Sequence, residues 1–150
     1  MNTYFQPMIL ALILTVCLAV MAGAGQDIDQ GRRGELIYES TVDSHELAYH
    51  LIDMEGAAAE MEAKDSLGGQ KPTHHLMLYV IDPQGNPVKK ARAGFLIKGP
   101  EGIEQKTMAM AMANGFGADI SLHKPGEYSI KAKVVSEKQT LIDGFVYTTE

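Results

Sequence analysis

Methionine recurs at every second position in the segment Met108-Ala109-Met110-Ala111-Met112. Residues two apart in a β-strand share a face, so a strand here would place three thioethers in a row and alanines on the other face. Thioether sulfur is a soft ligand that suits Cu(I) and binds Ca²⁺, Mg²⁺ or Mn²⁺ poorly. The row therefore raises the hypothesis of a copper site. Because methionine also fills gaps in hydrophobic cores, a strand whose methionines pack inside is the alternative.

Histidines close to other methionines supply further candidate ligands. His75 and Met77 would share one face of a strand, whereas the adjacent His74 and His75 would face opposite sides. A Cu(I) site could combine one imidazole with two or three thioethers from different strands. The alternative is that these histidines are polar residues at the start of a strand. The candidate metal ligands are Met108, Met110, Met112, His74, His75, His50 and Met77.

The sequence lacks the motifs of common hydrolases. It contains no Gly-x-Ser-x-Gly segment. His45-Glu46 is followed by His50, one residue too far for the His-Glu-x-x-His zinc motif. The segment Gly115-Phe116-Gly117 is interpreted as hairpin glycine rather than a phosphate-binding loop, because no helix follows it. We therefore expect a binding protein with no catalytic residue and no small-molecule substrate.

The first 24 residues contain no Asp, Glu, Lys or Arg, and residues 8–24 form an apolar run that ends in Ala-Gly-Ala. This pattern is typical of an export signal with cleavage before Gly25, which would make the protein periplasmic or secreted. The apolar run of 17 residues is also near the lower limit for a membrane span. A retained membrane anchor formed by residues 8–24 is therefore the alternative.

Removal of this segment would also remove Cys17, the single cysteine of the chain. The mature protein would then have neither a disulfide nor a thiolate metal ligand, so any soft-metal site would have to use methionine and histidine. The formal net charge of −6 arises from mixed charges without a stripe of Lys or Arg. Nucleic acid is therefore not an expected partner.

From residue 35 onward, short segments of alternating or continuous apolar residues are separated by Gly- and Pro-containing turns. This spacing predicts an all-β fold, an antiparallel immunoglobulin-like or transthyretin-like sandwich of about eight strands. A turn is expected at 44–46. The predicted strands cover residues 36–42, 47–54, 74–81, 91–97, 105–113, 116–122, 127–135 and 141–148. The predicted core includes Leu78, Val80, Phe95, Ile97, Ile120, Leu122, Tyr128, Ile130 and Val134.

The remaining segments differ in composition. Residues 25–34 are polar and are predicted to form a flexible lead-in. Residues 56–72 are rich in Ala, Glu, Met and Gly, and are predicted to form a mobile excursion with at most two helical turns, because so short a helix would not persist alone. The β-sandwich domain is therefore predicted to span 35–150.

The stretch Val80 to Ile97 contains an apolar strand, an Asp…Gly-x-Pro-Val turn and a strand that begins after Ala91. Together with the later methionine row and the Pro-Gly-x-Tyr entry at Tyr128, it resembles the YtkA/FixH-like group of exported β-sandwich domains. The resemblance covers roughly residues 73–147. It implies an immunoglobulin-like fold and a role among bacterial metal-handling and respiratory-assembly proteins.

Two functions follow from these observations. The first is an exported Cu(I)-binding or carrier protein that uses Met and His ligands. The second is a non-catalytic adaptor or assembly factor that binds another envelope or membrane protein and keeps its methionines in the core. The location of the methionines distinguishes the two, because a carrier needs Met and His to converge at an accessible rim.

Overall fold

The computed structural model describes residues 32–54, 71–112 and 114–150. The predicted signal segment at 1–24, most of the predicted lead-in and most of the predicted excursion at 56–72 lie outside the described residues. No helix within these ranges is long and apolar enough to cross a membrane. The described chain forms β1 (Glu35–Val42), β2 (His45–Asp53), β3 (His74–Ile81), β4 (Ala91–Lys98), a 3₁₀ turn (Pro100–Gly102), β5 (Glu104–Met112), β6 (Gly115–Ile120), β7 (Gly126–Ser136) and β8 (Thr140–Thr149).

The strands form one antiparallel sheet in the order β1-β2-β3-β6-β5-β4-β7-β8. Strand β5 belongs to both halves of this sheet. Its residues 104–109 pair with β4, whereas its residues 110–112 pair with β6. The sheet therefore turns a corner along β5 and forms two layers that share one core. This architecture confirms the predicted all-β antiparallel sandwich of about eight strands.

The core lies between the two layers and confirms the sequence prediction. All nine residues predicted to be buried are buried in the structure, and all belong to the main hydrophobic cluster. Alternation explains this result, because a strand with one face on the core must place every second residue inside. Every strand that positions a candidate ligand is therefore fixed in register by its core-facing side.

The first hairpin turns earlier than the sequence predicts. Asp43 and Ser44 form the turn, and His45 already belongs to β2. Both turn residues have positive φ angles, 47° and 61°. This backbone is typical of a two-residue hairpin loop whose twist matches that of the flanking strands. The pairing of β1 with β2 therefore imposes a left-handed conformation on Ser44.

Side chains of the first and last strands close the sandwich. Tyr38 stacks on Phe145 with ring centroids 4.4 Å apart. Asp143 accepts hydrogen bonds from the hydroxyls of Ser40 and Tyr49, the latter at 3.0 Å. Burial and the nearby charge of Asp143 raise the pKa of Tyr49 far above its usual value, so this hydroxyl remains a donor. The two edge strands are thus joined through their side chains.

Candidate metal centre

The outer face of the first layer brings several candidate ligands together. Even-numbered residues of β3 enter the core, so its odd-numbered residues lie on the outer face. The strand register then aligns the same face of β2, β6 and β5 beside them. The residues of this face include His50 on β2, His75, Met77 and Tyr79 on β3, Gly115, Gly117 and Asp119 on β6, and Met110 and Met112 on β5.

Three soft donor atoms converge over Gly117 of β6. A Cβ added to this glycine would stand within 2.7 Å of His75 Nε2, Met77 Sδ and Met112 Sδ. Real Cβ atoms essentially never have neighbours closer than 3.0 Å, so a side chain at this position would displace all three groups. Bonds from first-row metal ions to nitrogen and sulfur ligands are roughly 2.0–2.3 Å long. One ion beside the Gly117 backbone could therefore reach all three donors after small side-chain shifts.

Asp119 orients the imidazole of His75. Its Oδ1 lies 2.6 Å from Nδ1, and an ionised carboxylate can only accept a hydrogen bond. Nδ1 therefore holds a proton, and a neutral ring in this orientation presents its lone pair on Nε2. This Nε2 is buried and has no hydrogen-bond partner among the described residues. Carboxylates orient metal-bound imidazoles in the same way, so the ring is prepared for a ligand at Nε2.

His50 lies next to the three donors. It pairs with Met77 in the register of β2 and β3 and is 4% exposed. Its Nδ1 lies 3.1 Å from the carbonyl oxygen of Gly34, and its buried Nε2 forms no hydrogen bond within the described ranges. Its ring contacts Tyr79 edge-on, with centroids 5.3 Å apart. Because Tyr79 and His75 flank Met77 on opposite sides along β3, His50 packs on the side of Met77 away from His75.

The chain that precedes β1 covers Tyr79. The backbone N–H of Arg33 donates a hydrogen bond of 2.9 Å to the tyrosine hydroxyl. The guanidinium of Arg32 lies 5.6 Å from the centroid of the same ring. Met77 is buried in a small cluster with Tyr79 and Ala48 and is 5% exposed. The candidate centre therefore has an apolar, covered side at Met77 and a solvent side at Met112, which is 40% exposed.

Strand β5 presents its methionines to the outside. Met108 and Met110 are each 67% exposed, whereas Ala109 packs against the core. The alternative in which this row fills the core is therefore wrong, because the alternation of β5 places its alanine face inside. The first and last methionines of the row lie over different neighbouring strands. Met112 Sδ lies over Gly117 of β6, whereas Met108 Sδ lies over Gly94 of β4.

The surroundings of Gly94 differ from those of Gly117. A Cβ at Gly94 would stand 3.2 Å from Met108 Sδ. The side chains around it form a shallow hollow of about 560 Å³, and none of them is a histidine. Besides Met108, the outward-facing residues that line this hollow include Arg92, Leu96, Lys106, Lys131, Lys133 and Ile142. This part of the second layer is therefore cationic and apolar rather than rich in metal ligands.

His74 and Met110, two other ligands predicted from the sequence, differ in their position relative to the three donors. His74 lies on the opposite face of β3 from His75, with Nδ1 2.7 Å from the Thr73 hydroxyl. The structure therefore does not bring His74 to the three donors. Met110 pairs with Gly117 in the register of β5 and β6, so its side chain leaves β5 beside them. His75, Met77 and Met112 supply the three atoms nearest a Cβ at Gly117.

The donor set favours soft ions. No group of three or more His, Cys, Asp or Glu in the described part of the chain could hold a metal ion. One imidazole nitrogen and two thioether sulfurs form a set that is soft and uncharged. Zinc sites instead draw on Cys, His and carboxylate. A monovalent soft ion such as Cu(I) fits these donors without requiring a compensating negative charge.

Sequence reasoning missed Gly117 and Asp119. The segment Gly115-Phe116-Gly117, interpreted as hairpin glycine, begins the second strand of the β5–β6 hairpin, where Gly115 pairs with Met112. A signal was present in the alternation Gly115, Gly117, Asp119, because glycines that repeat on one face of a strand often mark close approach by other groups. That signal gains its meaning once β3 and β5 are known to flank β6.

Comparison with known proteins supports the fold. No protein-family model and no curated protein sequence matches the chain, so neither search supports the resemblance to the YtkA/FixH-like group. Among solved structures, a copper-bound variant of FetP from uropathogenic Escherichia coli strain F11 is similar with a TM-score of 0.56 and 16% identity, covering 74% of this chain and 93% of that one.

A second FetP structure from the same strain shows the same similarity. It is FetP as isolated after recombinant expression in the periplasm of Escherichia coli, with a TM-score of 0.56 and 13% identity. The match covers 76% of this chain and 93% of that one. Both matches thus span most of each protein and show a shared β-sandwich fold.

Proposed function

We propose that this protein is an exported Cu(I)-binding carrier whose ion is held by His75, Met77 and Met112. The observation that supports the proposal most is the convergence of their three donor atoms over Gly117, within 2.7 Å of one point. A purely structural packing of these side chains would not require the Nε2 of His75 to be buried with an open lone pair. Metal ligation gives that nitrogen a partner.

The surrounding residues give this centre the properties of a carrier. The covered side at Met77 limits the access of water, which could otherwise compete with the protein ligands for the ion. The exposed side at Met112 allows a donor or acceptor to approach. Thioethers have no proton to lose, so the imidazole is the only one of the three ligands that can gain or lose a proton when the ion leaves or binds.

The absence of cysteine ligands suits an exported protein. The apolar leader at residues 8–24 and the single Cys17 within it indicate a mature chain that binds soft ions without thiols. Thiol ligands are readily lost to disulfides in oxidising compartments, whereas thioethers are not. The structural similarity to FetP, which is copper-bound in one structure and was expressed in the periplasm in another, supports the same compartment and the same metal.

The exchange partner that we propose is another envelope protein that donates or accepts Cu(I). No step of the proposed activity changes a covalent bond, so the protein acts by binding and release. An adaptor that binds no metal is the competing function. That adaptor would have to leave the β5 methionines outside the core and the convergence of three donor atoms over Gly117 unexplained.

The experiment is a competition titration of the purified protein against a Cu(I) chelator, with a parallel titration by Zn²⁺. We expect one Cu(I) per chain and tighter binding of Cu(I) than of Zn²⁺. Replacing Met112 by leucine keeps apolar volume roughly constant and should weaken Cu(I) binding. The matched control is Met108→Leu on the same strand. The absence of bound copper in the wild type would eliminate the carrier and leave the adaptor.

A further inference from the structure

Met110 faces the candidate centre and is not among the three side chains whose atoms lie nearest a Cβ at Gly117. It pairs directly with Gly117 in the register of β5 and β6. Paired residues of antiparallel strands lie about 4.5–5.5 Å apart at Cα, so its side chain leaves β5 next to the point where the donors meet. It is 67% exposed, against 40% for Met112. The most accessible thioether beside the centre therefore belongs to a residue other than His75, Met77 and Met112.

The buried donors cannot receive an ion directly from a large partner. Met77 is 5% exposed, and the Nε2 of His75 is buried. A bound Cu(I) passes between ligand sets by gaining a new soft ligand before it loses an old one, so a transfer route needs accessible thioethers next to the final ligands. Alternate strand residues lie roughly 7 Å apart, a distance that two flexible methionine side chains can bridge around one ion.

We propose that Met110 and Met112 form an exposed loading site for Cu(I), from which the ion passes to Met77 and His75. This inference rests on the proposed function and adds a kinetic role for Met110. The ion remains Cu(I) throughout. Met112 belongs to both ligand sets, so the ion moves inward by exchanging Met110 for Met77 and His75. The reverse exchange returns it to the surface.

Met108 provides a matched control within the same strand. It has the same side chain as Met110, lies on the same face of β5 and is equally exposed at 67%. Its sulfur, however, lies over Gly94 of β4, two positions farther from Met112. A general effect of surface methionines on copper exchange would involve Met108 and Met110 equally, whereas the loading site would involve Met110 and not Met108.

The test measures the rates of Cu(I) transfer from a chelator complex to the protein, and back, by stopped-flow absorbance. The full-length wild type is compared with Met110→Leu and Met108→Leu. We expect Met110→Leu to slow both directions by about tenfold, so that the affinity changes much less than either rate. Met108→Leu should transfer copper at the wild-type rates.

The outcomes separate this inference from the function on which it rests. Copper binding by the wild type together with wild-type rates in Met110→Leu would overturn the loading site and leave the carrier function intact. Equal slowing in both variants would also overturn it, because the effect would then be general. A wild type that binds no copper would overturn both proposals. Slow transfer in Met110→Leu alone, with one ion still bound, supports the loading site.

Discussion

Two glycines on either side of β5 lie beneath methionines of that strand, yet their surroundings differ. Gly117 of β6 lies under Met112, and Gly94 of β4 lies under Met108. At Gly117, β3 adds a second thioether and a buried imidazole. At Gly94, the neighbouring strands add Arg and Lys side chains instead. A methionine over a glycine is therefore not by itself a candidate metal centre, because one thioether binds a metal ion too weakly without further donors.

The difference arises from the neighbouring strand. His75 and Met77 reach Gly117 because β3 pairs with β6, and the core-facing alternation of β3 turns both residues outward. On the other side, β7 pairs with β4 and places Lys133 beside Gly94. Asp119 then orients the imidazole on the Gly117 side. The methionines of β5 thus lie near His75 and Met77 of β3 at one end of the row, and near lysines of β7 at the other.

The largest expected effect comes from adding one methyl group at Gly117, with the same addition at Gly94 as the control. Gly117→Ala should abolish Cu(I) binding, because its Cβ would occupy the point within 2.7 Å of all three donors. Gly94→Ala should bind copper as the wild type does and change the free energy of unfolding by about 1 kcal/mol, since its Cβ would lie 3.2 Å from both Met108 Sδ and the carbonyl oxygen of Thr107. Chelator competition measures binding, and thermal unfolding verifies that both variants fold. Wild-type affinity in folded Gly117→Ala would refute the site.

Single methionine substitutions should have a smaller effect. Met112→Leu removes one of three ligands and should weaken Cu(I) binding by about 2 kcal/mol, roughly 30-fold. Met108→Leu should leave the affinity unchanged, because its sulfur lies over Gly94. The same chelator competition measures both variants. If the two substitutions weaken binding equally, then the whole exposed row binds copper and the distinction between the two glycines fails.

Asp119→Asn should weaken Cu(I) binding by roughly 10- to 100-fold, the range seen when the partner of a metal-bound histidine is lost. An amide can also donate to Nδ1, so the tautomer that presents the lone pair on Nε2 is no longer enforced. Asp119 is 46% exposed, so the fold should keep its stability. Asp119→Glu should restore part of the affinity. Unchanged affinity in Asp119→Asn would show that the carboxylate does not orient His75.

Copper binding should weaken at acidic pH because of His75, beside Gly117, and not because of the charged groups around Gly94. The imidazole of His75 must be neutral to bind a metal, so binding weakens as pH falls. On the Gly94 side, hydrogen bonds from Lys106 and Lys98 lower the pKa of Glu104. A lowered pKa keeps Glu104 ionised from pH 7 to about pH 5, and its ion pairs are lost when pH falls through that lowered value.

Glu104→Gln therefore tests whether the cationic side influences the centre. The variant should show the wild-type pH profile of copper binding between pH 7 and about pH 5, because Glu104 does not titrate in that range. Chelator competition at several pH values gives the profile. A shifted profile in this variant would couple the two sides of β5 and weaken their separation.

The sequence determined the all-β fold, the nine core residues and the shared face of His75 and Met77, because period-two alternation is a local property of the chain. The sequence did not determine whether the methionines of β5 face the core or the outside. Alternation places all three on one face of the strand but does not say which face meets the core. Pairing with Gly94 and Gly117, both outside the core, settled that point. For the same reason the turn at Asp43-Ser44 followed the strand pairing rather than the local preference of its residues.

The candidate centre could not be predicted as a whole, because its parts come from three strands. His75 and Met77 lie on β3, Met112 on β5, and Gly117 and Asp119 on β6. The order β3-β6-β5 places β6 between the two ligand-bearing strands, and a sequence read along the chain does not contain that order. Residue types thus determined that soft donors exist on this protein. The tertiary structure decided which of them meet, because non-local strand pairing sets the distances between side chains.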